Sequence, residues 1–320
     1  MKKIRSWAIV GLFVILMTAL IFSGCSSETD GGDDGAGQAD QIGESMEEAQ
    51  EGPEEVIAFA EPVFERLIKE ALEKEEIFPS DLSEYTGLNI VGDEMIVLSS
   101  PDLPEESVIL MGEDGFEYKE ERYTGYGTMK TFEDLKHFPS LSNLKITLQP
   151  EADFTTIPEN DQITVLSLSQ SHLTEVEFLD RFSGLMFLTI YVNDIVSLDG
   201  MEELTNLKQV QASSNEISDV TALSELVNLT RVDLSINKVE NLEPFVKLTN
   251  LEQLWLYDNN ITDISPLEGL SGSLKDLVLS HNAIKDVSPL KEYTEMERLD
   301  LSGNPVENRE DIEHIENATY

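Results

Sequence analysis

Cysteine is all but missing from this chain: Cys25 is the only one in 320 residues, so no internal disulfide can brace the fold. Base is scarce as well. Twenty-one Lys and Arg stand against 63 Asp and Glu, a formal net charge of −42. That imbalance argues against nucleic acid, whose phosphates need Lys and Arg, and against adsorption to anionic lipid. It suits solubility in a crowded space, with basic partners and divalent cations left open. The four histidines, His137, His172, His281 and His314, have no metal-ligand spacing. There is no phosphate-cradling Gly-rich loop followed by Lys-Ser/Thr, no nucleophile elbow and no His-Glu-x-x-His. Carboxylate pairs occur throughout so acidic a chain and therefore identify nothing. Neither catalysis, a metal nor a cofactor is expected.

What the chain has in abundance is repetition. From Leu251, steps of 22 residues lead back to Leu229, Leu207, Leu185, Ile163 and Leu141, each opening a similar apolar pattern. Forward lie Leu274 and Met296, the longer first step being taken up at Ser271-Gly272-Ser273. Self-similarity at this period marks a solenoid, in which no unit buries its apolar face alone and stacking supplies the core. Numbering each unit from these residues, positions 1, 4 and 6 (Leu251, Leu254, Leu256) end in a period of two, as a half-buried strand requires. Positions 11, 14, 17 and 20 (Ile261, Ile264, Leu267, Leu270) recur every three residues, as tight helical turns do. The spacing predicts a strand, a turn and a 3₁₀-like return per unit, with the strands stacked in one parallel sheet. Strands take up about 4.8 Å per coil and the return leg more, so the sheet should line the inner side of a curve.

Position 9 is asparagine in six units: Asn193, Asn215, Asn237, Asn259, Asn282 and Asn304. We read them as inward amides that satisfy backbone groups where the strand turns away, rather than as markers of exposed turns. Ser171 and Gln149 replace Asn in the earlier units, and Glu151 falls at an inward position. Asp219, Asp263 and Asp286 fit the turn before the return leg better than they fit calcium. With the unit Leu251-Glu-Gln-Leu-Trp-Leu-Tyr-Asp-Asn-Asn-Ile-Thr-Asp-Ile-Ser-Pro-Leu267, and the Asp-Val-Ser-Pro-Leu tail again at Asp286–Leu290, the chain resembles the 22-residue leucine-rich repeats of the internalin type. The expected fold is an α/β leucine-rich-repeat solenoid with a curved parallel β-sheet on the concave face, 3₁₀ and turn segments on the convex face and an N-terminal helical cap. The resemblance implies protein recognition.

Residues 1–24 read as a signal peptide: Lys2, Lys3 and Arg5, an uncharged apolar run from Trp7 to Phe22, then Ser23-Gly24. Cys25 in that setting resembles the lipidated cysteine of a bacterial lipobox, with Phe22 where Leu is usual. This favours a lipoprotein over an uncleaved anchor or a secreted form, and so an extracytoplasmic protein held at the cell membrane by lipid. Residues 25–55, acidic and rich in Gly and Ser, form a tether spanning roughly 30 Å. Residues 56–84 carry an amphipathic stripe (Ile57, Phe64, Leu67, Ile68) with a helix starting at Pro62, then a short helix capped by Ser80. They read as a cap over the first coil rather than a free-standing partner helix. Residues 85–128 hold a degenerate first unit (Tyr85, Leu88, Ile90, Asp93) and an irregular or β-rich insertion over 97–127. Repeats fill 129–308, and 309–320 form a C-terminal cap or tail, with Ile312 and Ile315 laid over the last coil.

Strand alternation turns positions 3, 5, 7 and 8 away from the core. On that face it collects Phe187, Tyr191, Arg231, Asp233, Trp255, Tyr257, His281 and Arg298, types that concentrate binding energy when exposed together. The competing reading is that the aromatics only pack against neighbouring strands. The expectation is a monomer that binds a protein or other macromolecular partner through this face. A structural spacer in envelope assembly is the alternative, and an enzyme with its site in the insertion comes third.

Overall fold

A computed structural model describes residues 54–99, 109–110, 115–118, 121–124 and 126–320. Cys25, the apolar run before it and the first 53 residues lie outside the described part. Among the described residues no helix is long and apolar enough to cross a membrane.

Eleven strands form one open sheet. In chain order they are β1 (Gly87–Val91), β2 (Met95–Ser99), β6 (Asn143–Thr147), β7 (Val165–Ser169), β8 (Phe187–Thr189), β9 (Gln209–Gln211), β10 (Arg231–Asp233), β11 (Gln253–Trp255), β12 (Asp276–Val278), β13 (Arg298–Asp300) and β14 (Ala318–Thr319). From β1 through β6 to β14 every pairing is parallel, and position 4 is in register from coil to coil, as in Val232, Leu254, Leu277 and Leu299. The apolar residues at positions 1, 4, 6, 11, 14, 17 and 20 make one continuous core along the stack. Short 3₁₀ turns, among them Glu177–Arg181, Thr221–Leu223, Glu243–Phe245, Ser265–Leu270 and Ser288–Leu290, carry the chain back. Asp219, Asp263 and Asp286 each accept the backbone N–H two residues on and so start these turns. That bond, with the hydroxyls of Thr221 and Ser288, holds Asp219 and Asp286 below the usual carboxylate range.

The position-9 amides tie coil to coil. Asn259 Nδ2 donates to Leu234 O in the preceding coil at 2.9 Å and to Leu256 O in its own at 3.1 Å, while Oδ1 accepts from Val239 N–H at 2.9 Å. Asn215, Asn237, Asn282 and Asn304 repeat all three bonds one coil apart. Asn193 donates in the same way and accepts from Ser171 and Leu173 N–H. The substitutes in the early units do similar work: Ser171 Oγ accepts from Gln149 N–H, and the fully buried Gln149 donates to Gly92 O at 2.5 Å. Glu151 is exposed instead of inward, and Ala152 packs on the core in its place.

Three departures from the sequence reading concern the N-terminal part. The chain after β1 doubles back as β2, antiparallel, so the sheet begins in a hairpin rather than a parallel coil. Asp93 is not an inward ladder residue; it accepts from Thr128 N–H and Oγ1. The insertion, read as irregular or β-rich, is β-rich where described: β3 (Ile109–Leu110), β4 (Gly115–Tyr118) and β5 (Glu121–Thr124) form a separate antiparallel sheet. The second short helix, α2 (Pro79–Leu82), has Phe78 at its N-cap, with Asp81 accepting Phe78 N–H, while Ser80 lies inside it and bonds Glu54. The first helix, α1 (Pro62–Leu72), buries Phe64, Leu67 and Ile68 and sets Phe64 edge-to-face on Phe138. Two buried carboxylates fasten it: Asp134 accepts Ala60 and Glu61 N–H, and Glu61 accepts Lys130 N–H. At the other end Arg309–Ile312 forms a 3₁₀ turn that buries Ile312, and β14 then adds a final strand.

Position 8 holds a regularity that the apolar pattern does not show. Leu148, Gln170, Val192, Ser214, Ile236, Asp258 and His281 all have φ between 54° and 64°, and Gly92 and Gly303 take the same place in the first and last units. The positive φ swings the chain out of the strand, and the position-8 N–H donates to the position-7 carbonyl of the next coil, as Ile236 does to Tyr257 O. For β-branched residues this conformation costs about 1–3 kcal/mol. Val192→Asn, which relieves that strain with a residue that tolerates it, should therefore raise the urea midpoint, whereas Leu254→Ala should cost about 2–5 kcal/mol. A fall in midpoint for Val192→Asn would contradict this.

Candidate partner-binding face

On the open side of the sheet, β9 to β13 surround a hollow of about 290 Å³. Its existence follows from position 7. Tyr257 occupies that position in the coil opened by Leu251, but Ser213, Ser235, Ser280 and Ser302 occupy it in nearby coils, and these small side chains leave space that the larger neighbours surround. The serines were not picked out from the sequence; a small residue flanking an aromatic at the same repeat position was the available signal. Seven of the eight open-face residues singled out from the pattern line the hollow: Tyr191, Arg231, Asp233, Trp255, Tyr257, His281 and Arg298. Phe187, on β8, does not.

Two of the seven are buried, contrary to the expectation that they stand exposed. Arg231 is 6% and Trp255 9% accessible. The cause is a diagonal cross-strand pair: Arg231 lies opposite Gln253, two residues from Trp255, and its guanidinium carbon sits 4.2 Å from the indole ring centroid. Such a cation–π contact is stronger when desolvated. Arg231 Nε, Trp255 Nε1 and, on β12, Asp276 Oδ1 are buried without hydrogen-bond partners in good geometry, the Asp276 carboxylate lying near enough to the indole N–H to be drawn down by it. Aromatic packing on a neighbouring strand and contribution to the hollow thus coincide in Trp255. At the rim Tyr257 and His281 meet edge-to-face at 5.2 Å.

Two of the carboxylates here are engaged by hydrogen bonds, Asp233 within its own coil and Asp300 by its own coil and those on either side, while Asp276 Oδ1 is buried without a partner. Asp233 Oδ1 accepts Ser235 N–H at 3.0 Å, and burial pushes this carboxyl up, outweighing the Ser235 bonds and the Arg231 charge. Asp300 accepts from Ser302 N–H, Ser280 Oγ and Thr319 Oγ1; burial raises it, but these bonds together hold it below its usual value. Burial also pushes Asp276 up, against Arg298, the Trp255 indole and Arg231, which pull it down. The Tyr191 and Tyr257 phenols are raised by burial, Tyr257 also by Asp258, and both remain neutral donors at physiological pH. No cluster of His, Cys, Asp and Glu suited to a metal occurs among the described residues. The surface offers aromatic faces and hydrogen-bond donors, the equipment of recognition.

A stack of strand, positive-φ turn and 3₁₀ return, laced by one amide per coil, defines a leucine-rich-repeat solenoid. In fold this chain is an internalin-like leucine-rich-repeat protein. Residues 227–269 match the family model described as leucine-rich repeats in two copies. No curated protein matches the chain. Among solved structures it is similar to an internalin (inlF) of Listeria monocytogenes, with 18% identity, a TM-score of 0.57, and 82% of this chain and 81% of that one covered. Internalin C2 of the same organism gives 23% identity and a TM-score of 0.51 over 78% and 92%. The functional domain of InlJ from Listeria monocytogenes, which includes a cysteine ladder, gives 20% and 0.56, the match spanning 80% of this chain and 54% of that domain.

The raised Asp233 carboxyl has a consequence for stability. A group whose folded-state pKa lies above its unfolded value stabilises the fold below the unfolded pKa, and that contribution is lost as pH rises through the folded one. Asp233→Asn keeps the acceptor for Ser235 N–H and removes the charge. It should be more stable than the wild type at pH 7, with the gap closing as acid protonates Asp233; equal midpoints at pH 7 would contradict the assignment.

Proposed function

We propose that this protein is an extracytoplasmic lipoprotein, anchored to the cell membrane through Cys25, that binds a protein or other macromolecular partner on the open face of its sheet. The observation that carries the reading is the hollow, where Trp255, Tyr257, Tyr191 and Arg231 converge on one concavity of a rigid repeat scaffold. Aromatics and arginine in a central, desolvated position are the residues in which interface energy concentrates. The likeness of fold to internalins supports the reading, since repeat solenoids present such surfaces to their ligands, although fold by itself assigns no partner. The charged n-region, short apolar run and Ser23-Gly24-Cys25 support the anchor, and the acidic segment behind Cys25 suits a tether holding the solenoid clear of the bilayer.

The test compares binding of surface-exposed and secreted proteins to immobilised wild type and to Trp255→Ala/Tyr257→Ala. Removing a hot spot costs about 2 kcal/mol or more, so the specific partner should bind the variant at least about thirtyfold more weakly. Equal affinity for both would overturn the reading and leave the solenoid as a spacer.

A further inference from the structure

This chain is 26% charged, yet part of its open face carries no charge at all. In the coils of β7, β8 and β9 the four outward positions of each hold only Val, Ser, Gln, Phe, Thr and Tyr. The hollow lies at the C-terminal end of this strip, and Tyr191, Gln211 and Ser213 belong to both. Depletion of charge beside aromatic side chains is the composition of an interface core. Within the hollow the charges answer one another. Asp276 stands on β12, between the strands of Arg231 and Arg298, and both arginines and the Trp255 indole draw its carboxyl down against burial. Arg231 acts on Asp233 in the same way. The serine hydroxyls are committed as well: Ser280 bonds Asp300, Ser235 bonds Asp233 and Ser302 bonds Asp300. What the hollow leaves open is ring and methyl surface, from Tyr191, Ile236, Tyr257 and Val278.

Resting on the reading of this face as the partner's, we propose that the hollow receives one uncharged aromatic side chain of a protein partner, seated between Tyr191 and Tyr257 against Ile236 and Val278. An ionic group of either sign is disfavoured. The guanidinium groups of Arg231 and Arg298 oppose a cation, and Asp233, Asp276 and Asp300 oppose an anion. With those five groups matched among themselves, no spare counter-charge offsets the water that an entering ion gives up. A neutral saccharide would surrender hydration at each hydroxyl to serines that already bond within the protein. An aromatic ring surrenders little hydration and gains ring-to-ring contact. The volume of about 290 Å³ holds one such side chain.

Three probes that share one phenol ring separate the possibilities: p-cresol is neutral, tyramine cationic and 4-hydroxyphenylacetate anionic. Each is titrated into the full chain in high salt, which screens the general acidic field, and followed by the methyl resonances of Ile236 and Val278. Methyl glucoside is titrated alongside. p-Cresol should shift both methyls saturably and bind at least about tenfold more tightly than either ion or the sugar. Ser235→Tyr, which sets at the centre of the hollow the residue that position 7 carries at 191 and 257, should abolish the response with the circular dichroism of the wild type. Equal or tighter binding of an ion or of the sugar, no saturable response to p-cresol, or an undiminished response in folded Ser235→Tyr would each overturn the proposal. The comparison of probes on the wild type decides it even if that variant does not fold. Any of those results leaves the partner-binding reading standing if Trp255→Ala/Tyr257→Ala still loses its partner, so the two fail separately.

Discussion

One amide per coil holds this molecule in register. Each position-9 asparagine bonds the position-6 carbonyl of its own coil, the same carbonyl one coil back, and a backbone N–H at the head of the preceding return leg, as Asn259 does to Leu256, Leu234 and Val239. These backbone groups lie where the strand has ended and no sheet neighbour remains to satisfy them. Without the amide, buried donors and acceptors would be left open at every turn, each costing about 1–3 kcal/mol. Apolar stacking supplies the driving force of the solenoid, but it is non-directional. The amides, with the strand ladder, convert it into a fixed rise and register. Everything on the open face inherits its spacing from that register.

The hollow shows how such spacing shapes a surface. In the parallel sheet, position 3 of one coil lies diagonally across from position 5 of the next, which sets Arg231 over Trp255. Position 7 decides depth: serine in four nearby coils lowers the floor, and tyrosine at 191 and 257 raises the wall. Neither feature disturbs the core, because positions 3, 5 and 7 alternate away from it. A repeat protein can therefore alter its recognition surface while its inward positions stay apolar. The buried carboxylates that fasten the N-terminal helix, Asp134 and Glu61, serve the opposite purpose, closing the end of the core where no further coil stacks.

Much of this architecture was legible in the residues, because period and burial are the same fact in a solenoid. Leucine spacing sets the strand and the return leg, and asparagine at position 9 sets the turn. The open-face set was legible by alternation alone, and seven of its eight members surround the hollow. What stayed hidden has a common cause, that a one-dimensional pattern reports which face a residue occupies but not what its neighbour does. Arg231 and Trp255 read as outward and are outward, yet each covers the other. Position 8 was opaque because a positive φ is normally announced by Gly or Asn, and here Val192 and Ile236 adopt it under compulsion from the coils on either side. Tyr293 escaped notice as a core residue because it stands where other coils carry leucine or phenylalanine; it is buried, and its hydroxyl donates to Leu267 O at 2.5 Å. The hairpin at β2 and the separate β3–β5 sheet fell where the period breaks and pattern reading has nothing to count.

Native-state hydrogen exchange tests the amide ladder most directly. The amides of Ile195, Ile217, Val239, Ile261 and Ile284 lie outside every strand and helix, and each donates to a ladder asparagine one coil on. If the ladder holds the coils together, these five should exchange as slowly as the strand amides of Val232 and Leu254, through opening of the whole stack. Exchange of the five at the rate of exposed turns, with the strands still protected, would contradict the account.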